Sequence, residues 1–94
     1  MTRKIRIGES IFQDLIKEGE DTTDSQNCTY YIKDENDEIK LTGVLEVVDN
    51  TFMLRITSDD TSTLEKKLYT LQVAFTDTDT GYLDYIIDEN LLVI

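Results

Sequence analysis

The sequence has 94 residues, enough for one small domain, and 39% of them are hydrophobic and 31% charged. Twenty acidic residues against nine basic ones give a net charge of −11, which argues against nucleic acid and anionic membranes as partners. The apolar runs are far shorter than the roughly 20 residues of a transmembrane helix, and the first residues lack the apolar segment of a secretory signal peptide.

The first third predicts one strand and one ambiguous segment. Residues 4–7 alternate, which predicts a strand with Ile5 and Ile7 inward. Residues 10–17 have apolar positions that fit either a helical stripe capped by Ser10 or a bulged strand. We favour the strand, because the surrounding patterns are β. Residues 18–27 are polar apart from Gly19 and predict a loop.

The middle of the chain predicts a series of short strands. Residues 28–33 alternate, with Cys28, Tyr30 and Ile32 on one face, and residues 34–38 form an acidic turn. Strand pattern resumes at 39–41, is interrupted by Thr42-Gly43, and returns at 44–48 before a tight turn at Asp49-Asn50. Residues 51–57 form the clearest strand, with Phe52, Leu54 and Ile56 inward.

The last third predicts a short helical turn and a β-meander. Residues 58–65 are polar around Leu64, and either Asp60 or Thr61 could cap one turn of helix. Residues 69–75 alternate strictly, and turn formers follow at 77–81. Two further strands, 82–87 and 91–94, are predicted on either side of a turn at 88–90.

Seven to eight short strands with frequent turns predict an all-β domain, an antiparallel β-sandwich over residues 1–94 with small barrels as the alternative. Half-buried alternation is typical of antiparallel sheets with one wet face. The predicted core comprises Ile5, Ile7, Tyr30, Ile32, Leu41, Phe52, Leu54, Ile56, Leu64, Tyr69, Leu71, Val73, Phe75, Ile87, Leu91 and Val93.

The chain lacks the residues of common reaction chemistry. It has no histidine and a single cysteine, Cys28, so neither a disulfide nor the usual catalytic triads can form within it. A lone thiol on an alternating strand is more often a small core residue than a nucleophile. Close carboxylate pairs are expected when 20 acids occur in 94 residues. We therefore predict a protein that is not an enzyme and uses no cofactor.

One acidic turn resembles the start of a calcium loop. Asp77, Asp79 and Gly81 alternate as oxygen ligands do, but the glycine comes one position early and position twelve is Asp88 instead of Glu. A hairpin turn stabilised by local side-chain hydrogen bonds explains these residues better. The same interpretation applies to the turn at 34–38, so we predict no metal site.

Several side chains are candidates for protein contacts. Tyr31 and Met53 are outward by parity, and one of Tyr82 and Tyr85 must be outward as well. The apolar C-terminal residues either complete a sheet or pair with a neighbouring subunit. The candidate contact residues are therefore Tyr31, Met53, Leu91, Leu92, Val93 and Ile94.

Two segments resemble the immunoglobulin-like β-sandwich domains of tailed-bacteriophage baseplate and tail-fibre adaptor proteins. The first runs from Tyr30 through the acidic turn to Leu41-Thr42-Gly43, and the second includes Tyr69-Thr70-Leu71-Gln72-Val73, the Asp-rich turn and Leu91-Leu92-Val93. The similarity covers about residues 30–94. It departs from the family where Lys67-Leu68 and Glu89-Asn90 replace the expected glycines. The resemblance implies a virion structural protein without active-site residues.

These observations leave two functional hypotheses. The first is a structural module of a phage virion, made in the bacterial cytoplasm, that contacts other virion proteins or copies of itself. The second is an acidic inhibitor that imitates nucleic acid and binds a basic host protein in a salt-sensitive way. A row of carboxylates spaced like phosphates on one face would favour the second hypothesis, and acids scattered in loops would favour the first.

Overall fold

The computed structural model describes residues 2–16, 26–48, 51–77 and 82–94, and these form eight strands and one short helix. The chain is therefore all-β, as its alternating patterns predict. The elements are β1 (Thr2–Ile5), β2 (Ile11–Ile16), β3 (Gln26–Lys33), β4 (Ile39–Val44), β5 (Glu46–Val48), β6 (Thr51–Ile56), α1 (Ser58–Thr61), β7 (Leu68–Asp77) and β8 (Tyr82–Val93).

The strands form two sheets that pack face to face. The large sheet has the order β1-β8-β7-β3-β4, and the small sheet has the order β2-β6-β5. Phe52 of the small sheet meets Phe75 of the large sheet edge to face, with ring centroids 5.7 Å apart. Both rings are fully buried, so this pair lies at the centre of the layer between the sheets.

The core follows the predicted alternation closely. Thirteen of the predicted core residues are buried, and Leu41 and Ile87 pack against the core while remaining partly exposed. Ile7 is the error: β1 ends at Ile5, and the chain turns at Gly8, which has φ 83°. The Ile7 side chain is consequently 40% exposed, although its amide still donates to the carbonyl of Ile94 at 3.2 Å.

The ambiguous segment at 10–17 is a strand, as favoured above. β2 pairs antiparallel with β6, and Ile11 and Leu15 are buried between the sheets. These two residues, together with Leu45, belong to the core although the sequence analysis did not place them there. Leu45 lies between β4 and β5, where its amide donates to the carbonyl of Cys28 at 2.8 Å. The break in this region thus falls at Leu45, and the predicted interruption at Thr42-Gly43 is wrong.

The predicted C-terminal meander is right in the antiparallel pairing of its first two strands, β7 and β8, and wrong in its second turn. Residues 82–93 form one long strand, and Asp88, Glu89 and Asn90 pair with Gln72, Leu71 and Thr70 of β7 instead of turning. The register shifts by one residue where Val73 pairs with Ile87 and Ala74 with Tyr85. Ile86 is therefore the extra residue of a β-bulge.

The bulge changes which side chains of β8 face the core. After it, Ile87, Leu91 and Val93 point inward. Before the bulge, the odd-numbered residues Leu83 and Tyr85 point outward instead and are about half exposed. A shift of one residue reverses the face of every later side chain, so this bulge determines the outer surface of the strand.

The first and last strands pair in parallel, which corrects the expectation of purely antiparallel sheets. Ile5 pairs with Val93, and the amide of Ile94 donates to the carbonyl of Ile5 at 2.8 Å. The pairing is stabilised between the sheets by Arg3, whose Nε lies 2.7 Å from Glu89 Oε1 and whose NH2 group donates to Gln13 Oε1 at 2.6 Å. Arg3 thereby connects β1 and β8 of the large sheet to β2 of the small sheet.

The predicted helical turn is α1, but its cap differs from the prediction. Thr57 Oγ1 accepts a hydrogen bond from the amide of Asp60, and Asp60 Oδ2 accepts one from the amide of Thr57. This reciprocal capping box makes Thr57 the N-cap and Asp60 the third helical residue. Leu64 follows the helix and is buried, as predicted. The described residues contain no helix long and apolar enough to cross a membrane.

Candidate functional site

The outer face of the large sheet is the surface that points away from the small sheet. Its residues alternate with the buried ones along each strand, as Thr70, Gln72, Ala74 and Thr76 do with the core residues of β7. Its described members are Thr2 and Lys4; Leu83, Tyr85, Asp88, Asn90 and Leu92; Leu68, Thr70, Gln72, Ala74 and Thr76; Thr29, Tyr31 and Lys33; and Thr42 and Val44.

Exposed apolar side chains stand on both sides of this face. Leu83 and Tyr85 on β8 are 53% and 49% exposed, and Val44 on the edge strand β4 is 73% exposed. The register aligns Tyr85, Ala74, Thr29 and Val44 in one row across four strands. Ala74 is small and 5% exposed, so the row is recessed at its centre, with Tyr85 on one side and Val44 on the other. Leu68 and Leu92 form a second apolar pair on adjacent strands at the other end.

This face carries few of the charges of the chain. Asp88 is the acid among its described members, and Lys4 and Lys33 are the bases. The whole chain has a net charge of −11. Because the other described acids lie on other surfaces, a partner can approach the described part of this face without displacing or neutralising a field of carboxylates. Apolar and aromatic side chains with few charges are typical of the centre of a protein interface.

The predicted contact residues are distributed over three environments. Tyr31 and Leu92 lie on the outer face of the large sheet and are half-buried, and Lys33 Nζ lies 5.6 Å from the centre of the Tyr31 ring. Met53 is half-buried on the opposite side of the molecule, on the small sheet. Ile94 is 50% exposed beside β1.

Leu91 and Val93 occupy the core instead of the surface. They are 0% and 1% exposed, because their parity places them opposite Tyr69 and Ile5 on the inner side of the large sheet. In this fold they stabilise the chain itself and present no surface to a partner. The C-terminal strand thus completes the sheet, which is the first of the two roles that the sequence allowed.

The small sheet also has an exposed aromatic side chain, but this one is paired within the chain. Phe12 on β2 is 63% exposed, and the Arg55 guanidinium lies 5.2 Å from the centre of its ring. Arg55 in turn forms an ion pair with Asp14 at 2.7 Å. This cation–π contact and ion pair place charges around the apolar ring, which makes the small sheet a poorer apolar contact surface.

The acidic turn at 34–38 is a structural turn. Asp34 Oδ1 accepts hydrogen bonds from the amides of Asn36 and Glu38 at 2.9 and 3.0 Å, and Lys40 Nζ lies 3.6 Å from Oδ2. The hydrogen bond from Glu38 is the main reason that the pKa of the Asp34 carboxyl lies below its ordinary value. Asp37 completes the turn with φ 63°. These contacts agree with the predicted hairpin interpretation.

Two open clefts adjoin this turn and share Lys67 and Tyr69. Lys67 forms ion pairs with Glu35 and Glu65 and also lies 5.4 Å from the Tyr69 ring. The clefts are therefore lined by charges that already neutralise one another. Within residues 2–16, 26–48, 51–77 and 82–94, no group of three potential metal ligands is brought together. The turn residues 78–81 of the calcium-like motif lie outside these ranges.

Cys28 is held in an unreactive state. The thiol is fully buried in the core, and burial raises its pKa from about 9 to about 12. A neutral, inaccessible thiol is neither a nucleophile nor a metal ligand at neutral pH.

Three apolar residues of the outer face, Leu83, Val44 and Leu68, were not among the predicted contact residues. Alternation alone predicts that Val44 and Leu68 point outward, because each is next in sequence to a buried residue. Leu83 could not be found in this way, since its outward position depends on the bulge at Ile86. For Tyr85, the sequence indicated only that it or Tyr82 would be outward.

Comparison with known proteins gives no identity. No protein-family model matches the sequence, and no curated protein is significantly similar to it.

Proposed function

We propose that this chain is a non-enzymatic, immunoglobulin-like β-sandwich module that acts through protein–protein contacts in a tailed-phage particle. The observation that carries the contact function is the outer face of the large sheet, which combines exposed Leu83, Tyr85 and Val44 with few charges in a strongly acidic chain. Exposed apolar groups that are not dispersed among charges favour association with another protein.

The strand arrangement supports the immunoglobulin-like part of the proposal. Immunoglobulin-like domains consist of two packed antiparallel sheets of about seven to nine strands, and many have a tyrosine near the start of the sixth main strand. That tyrosine hydroxyl bonds to the backbone a few residues upstream. Here Tyr69, at the start of β7, accepts a hydrogen bond on its hydroxyl from the amide of Glu65 at 2.9 Å. Leu71 stands two residues later, where antibody domains have a disulfide-bonded cysteine, and is fully buried.

The assignment to a phage particle depends on the sequence resemblance over about residues 30–94. The structure adds that the similar segments include β3, the acidic turn, β4 and β7, which all belong to the large sheet. The segments that resemble virion domains therefore make up most of the proposed contact face.

The positions of the acids favour a contact module over a nucleic-acid mimic. A mimic needs carboxylates in a row on one face, at the spacing of phosphates. On the outer face of the large sheet, Asp88 is the single described acid. Other described acids cluster at the turn that begins with Asp34, and Asp59 and Asp60 lie on α1. We therefore place the second hypothesis below the first.

The direct test of the virion role is the protein content of particles. Particles of the phage that encodes this chain would be purified through a density gradient, and tryptic peptides of the chain would be quantified against the major capsid protein. We expect a constant ratio of the chain to the capsid protein across the particle peak. Peptides that remain in the soluble fractions, with none in the particle peak, would overturn the virion assignment.

A further inference from the structure

We infer that the partner on the outer face of the large sheet is a second copy of this chain, forming a two-fold dimer in which β8 of each copy lies over β4 of the other. This inference specifies the partner for the contact function proposed above and rests on it.

Charge restricts where two copies can meet. Each chain carries a net charge of −11, so most pairs of surfaces repel each other. The outer face of the large sheet is an exception, because its described charges are Asp88, Lys4 and Lys33. A dimer through this face buries little of the described negative charge and leaves the acidic turn at 34–38 in solvent.

The register makes the face self-complementary. Rotation by 180° about an axis that lies in the interface, parallel to the strands and between β7 and β3, exchanges β8 with β4. The row Tyr85, Ala74, Thr29, Val44 then lies over itself in reverse order. Tyr85 of one copy therefore meets the partner's Val44, and each pair of this kind occurs twice.

The same rotation brings opposite charges near each other. Asp88 lies in one row with Gln72, Tyr31 and Thr42, so it lies over the partner's Thr42. The partner's Lys33 is one strand and one row away, about 8 Å in the plane of the sheet given the usual strand spacings. A lysine side chain can span that distance, so two Asp–Lys pairs flank the apolar row.

The size of the overlap limits the strength of this dimer. Four strands of each copy overlap, because β1 lies outside the pairs that the axis exchanges. At about 4.8 Å apart and about eight residues each, four strands make a face of about 500 Å². Two such faces in contact bury about 1,000 Å² in total, the size of a weak or transient complex. We therefore expect a weak dimer instead of an obligate one.

The test is sedimentation equilibrium of the full chain and of two charge variants with matched chemistry. Val44→Glu places a carboxylate in the apolar row of the inferred interface, where it faces the partner's Tyr85. Phe12→Glu places the same group on the outer face of the small sheet, at a site of similar exposure in the single chain. Thermal unfolding of both variants, followed by circular dichroism, checks that each is folded.

We expect the unchanged chain to form dimers whose dissociation constant falls as NaCl is added, because salt screens the repulsion between two acidic copies. Val44→Glu should weaken the dimer by at least about tenfold, because the carboxylate would lose its hydration against the partner's Tyr85, and Phe12→Glu should leave it unchanged. A chain that remains monomeric at every concentration and salt level overturns the dimer. A dimer weakened by Phe12→Glu but not by Val44→Glu overturns its assignment to this face.

These outcomes separate the two proposals. A monomeric chain that is nevertheless present in particles at a constant ratio would remove the second copy as the partner and leave the virion role standing. A dimer that is absent from particles would support the second copy as the partner and overturn the virion role.

Discussion

The two outer faces of this sandwich treat exposed aromatic side chains differently. On the small sheet, Phe12 lies against Arg55, and Arg55 is fixed by Asp14. On the large sheet, the described residues place no cation over Tyr85, and its row continues through Ala74 to Val44. The first arrangement covers an apolar group with charges of the same chain. The second leaves apolar groups together, where another protein can cover them.

The sheets also differ in how they are fixed. In the large sheet, β1 pairs in parallel with β8 and joins the two ends of the chain. The Tyr69 hydroxyl connects this sheet to the segment after α1. The small sheet has three strands and depends on burial of Phe52, Leu54 and Ile56 against the large sheet. We therefore expect changes in the large sheet to lower stability mainly through lost backbone pairing. Changes in the small sheet should lower it mainly through lost packing.

The largest effect should come from deleting residues 91–94. The deletion removes two fully buried side chains, worth about 2–5 kcal/mol each, and also three of the four residue pairs between β1 and β8. That loss is comparable with the whole stability of a small domain, about 5–15 kcal/mol. We expect the cooperative thermal transition to disappear in circular dichroism. Deleting Ile94 alone, which is 50% exposed, should leave a cooperative transition. A truncated chain that unfolds cooperatively near the temperature of the full chain would show that β8 does not fix the large sheet.

Phenylalanine truncations compare the buried and exposed sides of the small sheet. Phe52→Ala removes a fully buried ring and its contact with Phe75, so it should lower the free energy of unfolding by about 3–5 kcal/mol. Phe12→Ala removes an exposed ring and should cost less than about 1 kcal/mol. Urea unfolding measures both. Equal losses would mean that Phe12 is buried in solution, contrary to its exposed position in the structure.

Gly43 tests how closely the edge of the large sheet is packed. A Cβ at this position would lie 2.7 Å from Cε1 of Tyr30, directly across the β3–β4 pair. Gly43→Ala should therefore cost about 1–3 kcal/mol in urea unfolding through overpacking. In a Tyr30→Leu background the same change should cost less, because the ring is gone. An identical cost in both backgrounds would exclude this contact as the cause.

The Tyr69 hydroxyl tests the connection between β7 and the preceding segment. Tyr69→Phe leaves the amide of Glu65 without its acceptor and should cost about 1–2 kcal/mol. Tyr85→Phe is the matched control on the exposed face and should change stability by less than about 0.5 kcal/mol. Chemical unfolding of the two variants in parallel gives the difference. A smaller loss for Tyr69→Phe than for Tyr85→Phe would remove the main structural support for the immunoglobulin-like proposal.

The smallest effect concerns the acidic turn. Because the pKa of Asp34 is lowered in the folded chain, its carboxylate stabilises the fold above the ordinary Asp pKa of about 4, and this contribution is lost as the pH falls through the lowered value. Asp34→Asn should therefore be less stable than the unchanged chain at neutral pH, and the difference should shrink in acid. Thermal unfolding of both proteins at neutral and at acidic pH measures this difference in stability. A difference that grows as the pH falls would contradict the assigned role.

Much of the fold could be predicted from alternation alone. Phe52, Leu54 and Ile56, like the buried residues of β7, repeat with a period of two, and burial of one sheet face requires that pattern. The errors fall where tertiary contacts override local signals. Asp88-Glu89-Asn90 has the composition of a turn, but these residues pair with β7, and Glu89 is held by Arg3 from the other end of the chain.

The candidate surface was less predictable than the core. Its definition depends on the bulge at Ile86, which no sequence pattern marks, and on which strands lie side by side. Parity identified Tyr31 as outward, yet it could not show that Tyr31 shares a face with Tyr85 and Val44. Parity placed Leu91 and Val93 in the core as well as among the candidate contacts, and both are buried on the inner side of the large sheet.

The most direct test of the contact face is residue-resolved NMR of the full chain at low and high protein concentration. The account predicts that amide signals of Leu83, Tyr85, Thr29 and Val44 shift or broaden as concentration rises, and that those of Phe12 and Asp14 stay unchanged. Perturbations that centre on Phe12 and Asp14, or a spectrum independent of concentration, would contradict the claim that two copies meet through the outer face of the large sheet.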